Sequence, residues 1–526
     1  MDRLYLKDSV VAQPTILRWY ACPELIAPQT AALNVVFRHL RTMRSYVKAP
    51  EMHAALSRRP ETRGGPFMAL DSDRQGDVRA LIEETERRQA PLIELAEAIR
   101  SLERLLLTEA RGRSLEPLYP RVPDVLRGFV ELVYDLGHRP GFRFIEGLLY
   151  RSRYYDPGQQ GFAVSDLRRD DRPFVLSTPL LPRAGQLDLE LPFDSPCADA
   201  LLRARTEATP VEELEERLQL PRSCRELFRS FFTEEAPRPR AGLSPGQARV
   251  RYFGHACLLI ETESTRVLID PIIAPALAAD RFSYADLPPT LDAIVLTHAH
   301  ADHTLLEALL SLRHRTRAIF VPRSSGGQLQ DPSLKLTLDR LGFLGVRELS
   351  ELESIDVDAG VRLTALPFLG EHADLDIRSK QIVLLSIEGR SLLVAADTRN
   401  VEPRLYERVH ALVGDVDLLF LGMECDGAPL SWLYGPLFAE GVERGADQSR
   451  RLSGSDCEMA MDLVRRFRPR RAYVYAMGQE PWLMYLTGRA HAEGSMPMVE
   501  SSRFLEECSK AGVAAERLFM RKDINL

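Results

Sequence analysis

Residues 296–306 read LTHAHADHTLL, and this stretch decides the fold. His298, His300, Asp302 and His303 put four metal-ligating side chains into six residues, a density that an ordinary core or polar loop has no use for. The segment before them, Leu291 to Thr297 (LDAIVLT), predicts a short buried strand, and the segment after, Leu305 to Leu312, predicts the start of a helix. The four ligands therefore occupy a turn at the carboxyl end of a strand, where side chains can converge on an ion. Neutral imidazole nitrogen combined with charged carboxylate oxygen suits zinc or iron.

Further landmarks lie on either side. Arg249 to Pro271 (RVRYFGHACLLIETESTRVLIDP) predicts paired strands that end near Asp270, and Ser391 to Asp397 (SLLVAAD) predicts another buried strand ending in an acid. Between them, Leu366 to Asp376 (LPFLGEHADLD) offers both Glu371 and His372. Adjacent residues do not readily reach one ion together, so these two are alternatives. With His372 the first metal has three histidines. With Glu371 it has two histidines and a carboxylate, a face that leaves positions open for oxygen, and the ligand carboxylates rise from two to three. Arg471 to Met477 (RAYVYAM) predicts a late strand followed by Gly478, Gln479 and Glu480, with no histidine where a last ligand would stand. His410 falls in a predicted helix, and His491, 13 residues past Gly478, is the one candidate that could fold back.

Together these segments resemble the metallo-β-lactamase superfamily over residues 248–526. That resemblance implies an αββα sandwich, Asp270 supporting the metals from behind, and Asp397 bridging two of them. Within it, THAHADH, GEHADLD, AADTRN and GMECDGAPLSWLYGPL resemble the diiron β-hydroxylases of nonribosomal peptide assembly lines, a family with a member in chloramphenicol biosynthesis. The resemblance implies two iron ions on His298, His300, Asp302, His303, Glu371 and Asp397. It also implies the reaction, in which dioxygen and two electrons hydroxylate the β-carbon of an aminoacyl group held as a thioester on a peptidyl-carrier domain. Glu371 and Asp397 then carry the chemistry, with Glu424 (or Asp426) hydrogen-bonding to a ligand or water nearby.

Two other classes compete with this reading. A dizinc hydrolase (lactonase, thioesterase or phosphodiesterase) would use His372 and a zinc-bound water whose pKa falls to about 7. A non-enzymatic carrier-binding protein would keep its metal as a structural element, but structural zinc sites close their coordination, and this ligand set is too rich for that. Flavodiiron oxygen reductases place glutamate where His300 stands and need a flavin domain.

The rest of the chain sets the frame. The predicted organisation is α/β, with a mixed α/β N-terminal domain over residues 1–240 and the catalytic domain over 248–526. The Pro- and Gly-rich stretch Thr233 to Gly246 links them. Val78 to Gln89, Leu92 to Arg111 and Val122 to Leu136 predict helices, while Phe174 to Leu181 and Leu187 to Leu191 predict strands. Neither a dinucleotide fingerprint nor a flavin signature occurs, so an oxygenase here needs a separate electron-transfer reductase. The N-terminal half is expected to shape the substrate tunnel, dock the carrier or form a homodimer surface. Arg58 with Arg59, Arg168 with Arg169 and Arg203 with Arg205 are candidate carrier contacts, although simple solvated surface is the favoured explanation of each pair. His255 lies beside an apolar strand and either faces the site or, the better reading, is a structural histidine with a backbone partner, while His39, His53, His138 and His314 read as surface. Trp432 to Tyr434 reads as channel wall or core. Seven scattered cysteines, a net charge of −7 and 45% hydrophobic residues describe a reduced, cytoplasmic globular protein without nucleic-acid character. No apolar run approaches the ~20 residues that span a bilayer.

Overall fold

Short, largely apolar runs in the C-terminal half build two seven-stranded sheets, most of whose strands are buried on both faces. The computed structural model describes residues 3–59, 61–62, 64–238, 240, 242–244, 246–358, 360–488 and 491–526. In the first sheet the order is Val346–Leu349, Ile319–Pro322, Ala293–Val295, Arg266–Ile269, Leu258–Glu261, Arg249–Tyr252 and Lys522–Asn525. Its first four strands are parallel and the rest antiparallel. The second sheet runs Ser354–Asp358, Val361–Leu366, Ile382–Ile387, Arg390–Val394, Leu418–Gly422, Arg471–Tyr475 and Ala514–Arg517.

The period of two along each strand decides what each face meets. Val250, Tyr252, Ile260, Val267 and Ile269 turn inward and pack against Leu363, Val383, Leu385, Val394 and Phe420 of the second sheet. The intervening Leu259, Leu268 and Ile294 turn outward. On the far side of the second sheet the helices Pro403–Val413, Cys457–Phe467 and Met496–Lys510 close a separate core.

The expected αββα sandwich is present, and its first outer layer is shared. Leu259, Leu268 and Ile294 join one continuous core with the helix Leu306–Leu312 and with Val10, Ala12, Phe162, Val164, Leu187 and Leu189. Those last six belong to an N-terminal four-stranded sheet ordered Trp19–Tyr20, Val10–Ile16, Gln160–Asp166 and Gln186–Glu190. A second N-terminal core gathers around the helices Gln75–Arg88 and Ala90–Glu109, where helices were expected.

Several expectations for this half are corrected. Val122 to Leu136 is not a helix: a short 3-10 turn, Asp124–Leu126, leads into the strand Val130–Tyr134, whose Val130 and Leu132 are buried while Glu131 between them is exposed. Phe174 to Leu181 is an irregular segment rather than a strand, with Pro179 unable to donate to a ladder. His39 and His53 are buried, not superficial. His39 stacks on Trp19 at 3.8 Å between ring centroids, and His53 accepts the Met68 amide on Nδ1. His314 is half-buried, and His138 is exposed as expected. Arg205 is buried too, donating to the carbonyl of Val10, so it cannot meet a partner. Within the predicted linker, residues 239, 241 and 245 lie outside the described residues. None of the seven cysteines forms a disulfide, and no helix among the described residues is long and apolar enough to cross a membrane.

Candidate metal centre

The metal-ligating motif lies where sequence placed it, between the strand Ala293–Val295 and the helix Leu306–Leu312. Its turn is held by the His303 and Thr304 amides, both donating to the His300 carbonyl, and by the Thr304 hydroxyl donating to the His298 carbonyl at 2.7 Å. Asp270, fully buried at the end of the neighbouring strand, accepts the Thr297 amide at 2.8 Å and the Thr297 hydroxyl at 2.6 Å. It also holds His303 Nδ1 at 2.8 Å, which turns Nε2 of that ring toward Asp397. Asp270 thus fixes the orientation of the His303 ring from behind.

Three groups of donors have ligand atoms within 4.8 Å of one another: His298 with His300 and Glu371, His298 with His303 and Asp397, and His255 with Asp302 and His303. Asp397 therefore stands between two positions, 3.1 Å from His303 Nε2 and 3.9 Å from His298 Nε2. Its carboxylate fits because residue 422 is glycine. A Cβ there would come within 2.6 Å of Asp397 Oδ1.

Glu371 and His372 are placed differently. Glu371 Oε1 lies 2.7 Å from His300 Nδ1, while His372 is absent from all three donor groups and sits behind, its Nδ1 2.8 Å from Glu371 Oε2. His300 presents Nδ1 to Glu371 because its other nitrogen, Nε2, lies 3.2 Å from the Tyr434 hydroxyl. Tyr434, with its neighbour Leu433, therefore belongs to the site's support and not simply to core.

Two residues were underread. His255 receives the expected backbone contact, from the Gly478 amide to Nδ1 at 3.2 Å. Its Nε2, however, points at Asp302 Oδ2 from 3.2 Å, on the side where a late-strand histidine is missing. The signal for this was the Gly254-His255 turn: both residues are left-handed, with φ of 104° and 51°, and this swings the ring inward. His491 does fold back, but onto Glu424, with which it is ion-paired. Both line the adjoining cavity, and neither is in the donor groups. Asp426 pairs with Arg451 instead.

Electrostatics show how crowded the cleft is. Burial alone would push the Asp302 carboxyl up, but the His255 hydrogen bond and the His303 and His300 charges hold it well below the usual range. Burial also opposes the Glu371 carboxylate, and His300 and His372 more than compensate. Burial, reinforced by His303 and His300, keeps His298 neutral. The facing carboxylates Asp397, Asp270 and Glu371 instead favour the charged forms of His303 and His300, protons that a bound ion would displace. The donor set also fits a dinuclear group by what it leaves unsatisfied. His298 Nε2, His303 Nε2 and Asp397 Oδ1 are buried without a well-directed hydrogen bond among the described residues, a cost that bound ions would remove. Three ligand carboxylates make the set oxygen-rich and favour iron over zinc.

Beside the donors lies a cavity of about 240 Å³, walled by Phe174, Leu176, Trp432, Leu433, Leu452 and Leu486, with Glu424 and His491 as polar groups. Phe174 and Leu176 come from the irregular N-terminal segment, so both halves enclose this space.

Comparison with known proteins agrees with this geometry. A family model described as the diiron non-heme β-hydroxylase N-terminal domain matches residues 5–237, and one described as the β-lactamase superfamily domain matches residues 265–475. The chain is 38% identical over 536 residues to the 4-amino-L-phenylalanyl-[CmlP-peptidyl-carrier-protein] 3-hydroxylase of Streptomyces venezuelae, covering 100% of both. The crystal structure of CmlA, a diiron β-hydroxylase from Streptomyces venezuelae, superposes with a TM-score of 0.93 at 37% identity over 100% of each chain. An uncharacterised protein of Mycobacterium tuberculosis, Rv0906, is 29% identical over 124 residues, 20% of this chain and 32% of its own.

Proposed function

Because this chain belongs to the diiron non-heme β-hydroxylases, we propose that it hydroxylates the β-carbon of an aminoacyl thioester on a peptidyl-carrier protein. The balance is one C–H bond, one dioxygen, two electrons and two protons giving one C–OH and one water. The observation that carries the reading at the site is the pairing of Glu371 with His298 and His300 while His372 stands aside. His298, His300 and Glu371 would hold one iron and Asp302 and His303 the other, with Asp397 between the two positions and His255 supporting Asp302. Bound iron supplies the redox chemistry that a C–H bond requires, which no side chain here can provide.

The protein's own contribution is position and exclusion. Asp270 and Tyr434 fix the tautomers and ring planes of His303 and His300. The apolar wall of Phe174, Leu176, Trp432 and Leu452 seats an apolar or aromatic aminoacyl side chain and keeps water from the reacting carbon. We place Glu424 with His491 on the substrate side, facing the aminoacyl group, rather than on the metals. Residues 1–240 and 248–526 form the two domains, and the two electrons come from a separate cytoplasmic reductase.

The test is to load carrier proteins with a panel of amino acids and supply iron-reconstituted enzyme, dioxygen and a reductant. Apolar or aromatic aminoacyl groups should gain one oxygen by mass spectrometry, with the new hydroxyl on the β-carbon. Hydrolysis of the thioester without oxygen gain across the panel would overturn the reading.

A further inference from the structure

Arg38, Pro66 and Trp432 line the cavity beside the metal donors, and the same three residues line a second, larger cavity of about 980 Å³. The character of the space changes across this shared wall. The inner cavity is mostly apolar, whereas the outer one carries Arg38, Arg41, Arg100 and Arg104 against two acids, Glu97 and Glu440. The four arginines are not equivalent. Arg38 is turned to the protein, donating to the Trp432 carbonyl at 3.0 Å. Arg100 is likewise engaged, with the Pro436 carbonyl at 2.7 Å and Glu103 at 2.8 Å. Arg41 and Arg104 are exposed and form no salt bridge within 4 Å among the described residues. The wall itself is thin: Gly64 and Gly65 lie against the Trp432 indole, where a Cβ on Gly65 would come within 3.2 Å of the ring.

This polarity matches one feature of a carrier-bound substrate, and the inference rests on that reading of the function. A carrier holds its aminoacyl group on a 4′-phosphopantetheine arm, whose one obligatory anion is the phosphate at the carrier end. The thioester end is neutral and must reach the β-carbon's position beside the donors. The phosphate must therefore stay outside, where cations can meet it without desolvation in an apolar space. We propose that the outer groove is the phosphopantetheine phosphate site. Arg41 and Arg104 bracket the phosphate, and the arm passes Pro66 and Trp432 into the inner cavity. Guanidinium forks suit phosphate oxygens geometrically as well as by charge. This site replaces the arginine pairs that sequence suggested for the carrier, of which Arg205 is buried.

The experiment measures binding, so it stands apart from turnover and from the test of hydroxylation. Fluorescently labelled 4′-phosphopantetheine and its dephosphorylated counterpart, pantetheine, are titrated with the iron-loaded full chain and followed by anisotropy. The wild type should bind the phosphorylated probe at least about tenfold more tightly, roughly 1.4 kcal/mol. In R41E/R104E the ratio should fall to near one, with R41Q/R104Q between the two. R362E/R390E, which makes the same charge change on two strands of the second sheet outside both cavities, should keep the wild-type ratio. Equal binding of the two probes to the wild type overturns the proposal, and so does a preference that survives in R41E/R104E.

Discussion

Arg172 and Glu307 tie the N-terminal half to the helix that follows the metal motif. Arg172 Nη1 lies 3.0 and 3.2 Å from the two Glu307 oxygens, Tyr20 donates to Glu307 at 3.0 Å, and the guanidinium lies 3.4 Å from the Tyr485 ring centroid. The two side chains are only 4% and 9% exposed, so water cannot stand in for either partner. Arg172→Met keeps the stem and removes the charge, leaving a buried carboxylate held by Tyr20 alone. Breaking a buried pair in this way costs about 3–5 kcal/mol, and the lost cation–π contact adds roughly 1 or 2. One core runs through both halves, so the chain should unfold as a unit, with an entropy of roughly 2.1 cal/mol/K for each of 526 residues, about 1.1 kcal/mol/K in all. A loss of about 5 kcal/mol therefore lowers the calorimetric midpoint by about 4–5 °C. In the double variant R172M/E307M neither charge is buried, and replacing such a pair by apolar groups is often neutral or better. It should recover most of the loss. A drop of under 1 °C in R172M, or a double variant that loses the sum of the two single changes, would refute this account of the interface.

Three further outcomes are expected. Glu371→Ala should lose about half of the bound iron and all turnover, whereas His372→Ala should keep both ions; two irons per chain in the Glu371 variant, by elemental analysis, would remove Glu371 from the site. His255→Ala should weaken the ion at Asp302 and His303 by about 10–100-fold, the usual effect of losing a close supporting group, read as a selective loss of one iron in a chelator titration. Burial holds the Glu146 carboxyl at about 6 against an ordinary 4.5, even with the Ser333 amide and Gln29 donating to it. The folded chain thus keeps a proton that the unfolded chain has lost. The stabilisation is full below about pH 4.5 and falls as pH rises through about 6, by roughly 2 kcal/mol. Glu146→Gln should then be more stable than wild type above pH 6 and little different at pH 4.5, and urea midpoints that differ equally at both pH values would contradict this.

What was legible in the sequence was the part where local pattern and tertiary role coincide. A strand, a turn and four candidate ligands in six residues admit few arrangements, and Asp270 and Asp397 each follow a strand that is a continuous apolar run. The N-terminal half was harder because its residues depart from their usual environments. Arg205, His39 and His53 are polar types that normally stay wet, and only long-range partners (the Val10 carbonyl, the Trp19 ring, the Met68 amide) account for their burial. Val122 to Leu136 carries apolar residues at helical spacing, yet Pro123 and the left-handed Gly128 divide it, and the period of two begins only at Val130. His255 shows the limit most clearly. Its identity was plain and Gly254 marked a turn, but the direction of its ring depends on a positive φ at His255 itself, which a histidine seldom adopts.

The division of labour at the site follows from this architecture. All the candidate ligands come from the C-terminal half, on turns where Asp270, Glu371 and Ala396 adopt left-handed backbone that these residue types seldom choose. Such strain persists only where surrounding structure over-determines it, and here two sheets and two flanking cores do so. The N-terminal half contributes none of those ligands. It supplies Phe174, Leu176 and the Gly64-Gly65-Pro66 turn to the inner cavity, and the arginines of the outer groove. Metal chemistry and substrate choice are thus carried by different stretches of one chain. Substitutions at Phe174 or Leu176 can reshape the cavity wall without touching a candidate ligand. A family built this way can keep its metal centre fixed while its substrate wall diverges, and the irregular backbone from Phe174 to Leu181 suits that role because it belongs to no ladder whose register a new side chain would disturb.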